Sequence, residues 1–188
     1  MAASDISSDY FHVATDELRK HNENVNSYAY NFYMWEIMTH DRAEAITLID
    51  SYLNEHINII TIQLGENVSD LSTFESDYEY LLRHIKQKCP DAQIITVTDF
   101  WNKDERDNMK IIASEKCGVH IADISAIKDN PDYMCGLDTK VAGDDGEFHL
   151  VKHAGVARHP GDKGMKYIAD RIIECINFSE LNTQKRKE

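Results

Sequence analysis

No glycine occurs before Gly65, only three prolines punctuate the chain, and none of its four cysteines belongs to a CxxC pair. The first absence removes any Gly-rich phosphate loop after an early strand, and no acidic phosphoacceptor cluster stands in for it; both argue against a nucleotide-binding or signalling domain. Cys89, Cys117, Cys135 and Cys175 are scattered like the reduced thiols of a cytosolic-type protein, and their spacing is not that of a zinc site. No apolar run approaches the length that crosses a bilayer, and no basic segment followed by an apolar one opens the chain. The chain as given therefore reads as cytoplasmic and without a membrane partner, with a signal peptide ahead of Met1 left open. Positive charge is scarce too. The formal net charge is −13, so most of the surface repels a phosphate backbone and nucleic acid is not an expected partner. The basic end Lys185-Arg186-Lys187 is too short to reverse this and reads as a solvated terminus.

What is present suffices for one domain with a sizeable core, expected over residues 1–178 of the 188, with a polar C-terminal tail at 179–188. Four extended segments alternate with helical patterns. The stretch from Val25 to Tyr33 is rich in aromatic residues, while Ile57 to Leu64, Gln93 to Phe100 and Gly118 to Ile124 are β-branched runs. Helical patterns cover Asp9 to His21, Arg42 to Leu53, Thr73 to Lys88, Asp104 to Cys117 and Asp162 to Phe178. This alternation predicts an α/β fold with a parallel sheet covered on both faces. Ligands of such sheets sit beyond the carboxyl ends of the strands. That rule picks out Tyr33 to Glu36, Gly65 to Asn67, Asp99 to Asn102 and the long loop from Ser125 to Gly161, in which only Glu147 to Val151 looks strand-like.

Two short motifs carry chemistry. In Ala157-Arg158-His159-Pro160-Gly161-Asp162-Lys163-Gly164-Met165 a histidine stands on a Pro/Gly-rich loop, directly ahead of a helix that aligns Met165, Ile168, Ala169 and Ile172. Pro160 holds His159 out of the helical region and Asp162 can cap the helix. An imidazole presented in this way can move protons for a nucleophile, although a loop histidine bonded to its neighbours is the plainer alternative. In Gly65-Glu66-Asn67 the chain must turn sharply after a buried strand and expose Asn67, whose amide can donate to a developing oxyanion. Taken alone, the same residues make an ordinary strand-to-loop turn. Both motifs are expected at the same rim of the sheet.

This pair of motifs resembles the SGNH (GDSL-like) hydrolases, esterases and lipases on a flavodoxin-like, three-layer α/β/α fold identified by four sequence blocks. Those blocks carry a serine in Gly-x-Ser, a glycine, Gly-x-Asn, and Asp-x-x-His. The third is matched by Gly65-Glu66-Asn67 and the last by His159 in its His-Pro-x-Asp-x-Gly-Met context, and the resemblance runs from Ser8 to about Phe178. It implies hydrolysis of an acyl ester, often an acetyl group on a carbohydrate, so the implied partner is a small-molecule or carbohydrate ester. His159 would be the general base and then acid, Asn67 the oxyanion donor beside Gly65, with no cofactor and no metal. Glu66, Asn31, Trp35 and Trp101 are the candidates for substrate binding.

The departures are as informative. Val156 stands where the family has its acid, so His159 needs another orienting group: Asp145, Glu147, Asp99 or a backbone carbonyl. The second block's glycine is missing, and Asn31 or the Tyr33-Met34-Trp35-Glu36 turn has to take its place. No strand ends in Gly-x-Ser; Ser4, Ser7 and Ser8 read as caps of the helix that follows. One explanation covers these gaps: Met1 corresponds to an internal methionine of a longer relative, and the nucleophile and the first, central strand are not in this chain. The Val25 and Ile57 strands would then lack a neighbour unless the sheet closes up or another chain fills the gap, which makes a homo-oligomer one expectation. The alternative function is a non-catalytic, degenerate SGNH-type domain that binds a ligand or partner. Tyr28, Tyr30, Phe32, Tyr33 and Trp35 are core packing or a sugar-binding wall, and Glu75, Asp77 and Glu79 a solvated face. His149 and His153 have no acidic or cysteine partners at ligand spacing.

Overall fold

A computed structural model describes residues 2–184 apart from Asn102 and Asp144. Met1 and the basic Lys185-Arg186-Lys187 lie outside the described residues. In chain order the helices are α1 (Tyr10–His21), α2 (Tyr33–Ile37), α3 (Arg42–Ile46), α4 (Phe74–Lys88), α5 (Asp104–Cys117), α6 (Ala154–Ala157), α7 (Asp162–Glu174) and α8 (Phe178–Gln184). The strands are β1 (Ile59–Ile62), β2 (Gln93–Val97), β3 (His120–Ala122), β4 (Lys140–Ala142) and β5 (Phe148–Leu150). Within the span expected as one domain, the chain gathers into two compact units.

The first unit comprises Asn31–Asp99, Lys103–Ala122 and the chain from Cys175. It holds a parallel sheet in the order β1-β2-β3, so the mixed α/β character is as expected. Strand β2 is buried along its whole length, as a central parallel strand should be. Helices α4 and α5, the two crossovers, pack on each other. Helix α5 ends as a helix of this composition should, on Gly118 at φ +60° with its N–H bonded back to Ser114 and Glu115. The core joins Ile62, Leu64, Leu81, Leu82 and Ile94 to an edge-on aromatic group in which the Trp35 centroid lies 6.0 Å from Phe74 and 6.1 Å from Tyr78. Arg42 lies over the Trp35 ring and pairs with Asp77 at 2.7 Å.

Three expectations of secondary structure are corrected. The stretch from Val25 to Phe32, which runs into this unit from the other, is irregular rather than a strand, and Tyr28 and Tyr30 are exposed; no described strand lies alongside to complete a ladder. The helix expected from Arg42 to Leu53 stops at Ile46 and tightens into a 3₁₀ turn, Thr47–Ile49, where the Thr47 hydroxyl donates back to the Glu44 carbonyl. The helix expected to reach Phe178 ends at Glu174, and the polar tail begins as helix α8, whose entry is shaped by the Asn177 carboxamide accepting from Ser179 N–H and Oγ–H.

The second unit comprises the chain up to Tyr30, the Phe100-Trp101 step and Asp123–Glu174. Helices α1 and α7 pack together, with Met165, Ile168, Ala169 and Ile172 all buried as their spacing predicts. The stretch from Ser125 to Gly161 is not a bare loop. It contains two 3₁₀ turns, helix α6 and an antiparallel hairpin in which β5 pairs with β4, a partner strand that its sequence does not announce. The serines before α1 are not its caps. Asp9 caps α1 through His12 N–H and Asp5 caps the preceding 3₁₀ turn through Ser7 N–H, because a carboxylate offers two acceptors and carries charge to the positive end of the helix.

Candidate functional site

In the sheet unit, Gly65 takes φ +113° three residues past the end of β1. A side chain there would be strained, and its Cβ would come within 2.8 Å of Phe74 Cζ, so the sharp turn requires glycine. The turn leaves Asn67 exposed and Glu66 half-buried. Both are held from behind. The Glu36 carboxylate, itself buried, accepts from Gly65 N–H at 2.6 Å, from Asn67 Nδ2 at 2.6 Å and more distantly from Asn67 N–H at 3.4 Å. Since a carboxylate is acceptor-only here, it fixes which end of the Asn67 amide faces it and leaves the second Nδ2 hydrogen for another acceptor. Arg106 Nη1 donates to the Glu66 carbonyl at 2.8 Å.

Arg106 belongs to a buried charge cluster at the carboxyl end of β2. Asp99 pairs with Arg106 Nε and with Lys110 Nζ at 2.9 Å; Lys110 also donates to the Val97 carbonyl, and Asp107 accepts from Asp99 N–H. Burial alone would lower the Lys110 pKa, yet Tyr78 and Asp99 beside it leave it raised, while burial pushes the Tyr78 phenol up. Through the Arg106 bond to the Glu66 carbonyl, the cluster buttresses the turn that presents Asn67. Asn31 is exposed and accepts from Tyr33 N–H, opening α2. Trp35 is fully buried, so it is a core residue and cannot line a substrate wall. A hollow of about 470 Å³ in this unit lies at the amino ends of β2 and β3, near Lys86, Gln93 and His120, opposite to the end carrying the Gly65 turn.

In the second unit, the segment bearing His159 runs antiparallel to the one before β4. Cys135 N–H bonds to the His159 carbonyl, Gly136 N–H to that of Ala157, and Gly161 N–H to that of Tyr133. Gly164 lets α7 approach, since a Cβ there would lie 2.4 Å from the Tyr133 carbonyl oxygen. The His159 imidazole is exposed on this braced segment, edge-on to Trp101 with centroids 4.9 Å apart. Its Nδ1 lies 3.0 Å from the Gly155 carbonyl. A carbonyl only accepts, so Nδ1 carries a proton in this contact, and in the neutral ring the lone pair is then on Nε2.

Among the four orienting groups left open by sequence, the backbone carbonyl therefore holds His159. Asp99 is spent on its cations, and Asp145 is tied to His149 at 2.9 Å and to Glu147 N–H. Asp162 does not act as a free cap: its carboxylate receives Ser4 N–H at 2.7 Å and Ser4 Oγ–H at 2.5 Å, which pins the start of the chain to α7. Ser7 Oγ–H is spent on Asp5.

Sequence reasoning missed Glu36 and the Arg106–Asp99–Lys110 cluster as partners of the Gly65 turn. The signals were there: one glutamate inside the otherwise apolar and aromatic Tyr33-Met34-Trp35-Glu36-Ile37-Met38, and two cations four residues apart on one face of α5. Among the described residues, no three His, Cys, Asp or Glu side chains gather as a metal site, and no helix is long and apolar enough to cross a membrane. No protein-family model, no curated protein and no solved structure matches the chain.

Proposed function

We propose that this chain carries ester-hydrolase chemistry of the SGNH type on a flavodoxin-like fold, with an acyl ester, such as an acetylated carbohydrate, as ligand. The observation that carries the reading is the placing of His159: exposed on a braced segment, with Nδ1 3.0 Å from the Gly155 carbonyl, so that a neutral ring bonded there has Nε2 as its base. The carbonyl does the orienting work that Asp-x-x-His assigns to an acid, which corresponds to a Ser-His dyad rather than a triad. Asn67, turned by Glu36 so that one Nδ2 hydrogen stays available, supplies the oxyanion donor. A Gly-x-Ser nucleophile is absent from the sequence, so the reading predicts ester binding without turnover by these 188 residues.

NMR titration with an acetylated monosaccharide tests this. The expected result is a shift of the His159 imidazole and Asn67 side-chain amide resonances, with hydrolysis of p-nitrophenyl acetate no faster than free imidazole achieves. If neither resonance moves at saturating ligand, ester chemistry is removed from both residues.

One observation favours the non-catalytic alternative. Glu36 already occupies the Gly65 N–H, one Asn67 side-chain hydrogen and, more distantly, the Asn67 N–H, so an oxyanion would find fewer donors than in an open hole. Under that alternative a ligand would shift Asn67 and leave His159 unmoved.

A further inference from the structure

The sheet has two edges, and they are finished differently. Gln93 N–H bonds to the Asn58 carbonyl, so in the alternation of a parallel pair Ile60 and Ile62 turn their backbone groups to β2, while Ile59 and Thr61 turn theirs outward. At the other edge Thr98 N–H bonds to the Ala122 carbonyl, which leaves Ile121 as the outward residue of β3. There the Ile121 carbonyl accepts from the Cys175 thiol at 3.4 Å, and β3 is only three residues long. Among the described residues nothing bonds the outward groups of Ile59 and Thr61.

The β1 edge also lacks the devices that keep strand edges apart. From Ile57 to Leu64 there is no charge, no proline and no glycine, Ile59 and Ile60 are only half-buried, and Thr61 is exposed. On a chain of net charge −13, this uncharged stretch is where two copies meet with least repulsion. We propose that β1 pairs antiparallel with β1 of a second copy, across a two-fold axis at Ile60. Ile59 then exchanges hydrogen bonds with the partner's Thr61, and Thr61 with the partner's Ile59. Ile60 packs against the partner's Ile60 at the close, non-hydrogen-bonded position. The contact uses the same surface on both chains and closes on itself, continuing the two sheets as one.

Light-scattering mass across a wide concentration range, with amide exchange read residue by residue, tests the proposal. The expected result is a concentration-dependent doubling of mass, with Ile59 and Thr61 amides protected in the dimer and exchanging freely in the monomer. Thr61→Pro deletes an outward N–H that β2 does not use, and is expected to leave a folded monomer. Ile59→Lys tests the same edge without touching the backbone, should the proline variant fail to fold. A single-copy mass at all concentrations overturns the proposal, whether the edge is then empty or holds a different strand. A dimer that survives both substitutions overturns it as well.

Discussion

The two compact units solve the same problem with different means. The sheet unit buries its business: β2 is enclosed, the aromatic group of Trp35, Phe74 and Tyr78 is sealed, and an ion cluster of Asp99, Arg106 and Lys110 sits with almost no solvent around it. The second unit buries the apolar face of α7 too, but its ion pairs are ones that water reaches, such as Arg158 with Asp129, Lys152 with Asp138 and His149 with Asp145, and backbone pairs join its irregular segments. Exposed pairs of that kind stabilise little, about 0–1 kcal/mol each, whereas a buried charge deprived of its partner is costly. The unit with the enclosed charges is thus the one a single substitution can damage most. Each unit contains one tryptophan, Trp35 or Trp101, so each can be followed separately by fluorescence.

The largest expected effect is Lys110→Met. It leaves Asp99 buried with one cation fewer, and a loss of about 3–5 kcal/mol is expected for breaking a buried pair. Urea unfolding in a Trp101→Phe background, where Trp35 alone reports, should show a lowered midpoint; an unchanged midpoint would mean that the lysine is not holding the cluster.

Glycine substitutions come next and touch both units. Gly65→Ala must adopt φ +113° against Phe74, and Gly164→Ala must push α7 from the Tyr133 carbonyl; each should cost about 1–3 kcal/mol. The first is expected in the Trp35 signal and the second in the Trp101 signal. Equal stability of either variant would show that its backbone relaxes more freely than the close approach suggests.

The smallest effect separates the units by pH. Hydrogen bonding from His149, and then from Glu147 N–H, holds the Asp145 carboxyl below the usual aspartate range. A depressed carboxylate contributes stability above its unfolded pKa and loses it as pH falls through the folded one, so the β4–β5 hairpin should loosen on the acid side. Lys110 is raised instead, and a raised lysine contributes below its unfolded pKa and loses that contribution as pH rises through the folded value, so the sheet unit should weaken on the alkaline side. Amide exchange of Phe148 to Leu150 and of Ile94 to Val97 against pH checks the pair; a common pH response in both places would erase the contrast.

Helices with a full amphipathic pattern and a chemical stop were legible from sequence. Asp104–Cys117 has the bounds its pattern predicts, α1 (Tyr10–His21) falls within the expected Asp9 to His21, and β2 lies within its β-branched run. Those signals are local, because periodicity and capping act within one or two turns. The exposed Asn67 and His159 were legible for the same reason: a turn glycine and a His-Pro step set them.

Everything that needed a distant partner was decided by tertiary structure. The aromatic Val25 stretch has strand composition but no ladder beside it among the described strands, while the unremarked Lys140–Ala142 became a strand because Phe148–Leu150 returned beside it. Glu36 is an acidic residue in an apolar run until the Gly65 turn, 29 positions away, brings it three donors; Ser4 and Asp162 are 158 positions apart and meet all the same. A sequence pattern records which side chains a segment can bury, but not which buried donor finds which acceptor, because that choice is made by chain closure over long separations.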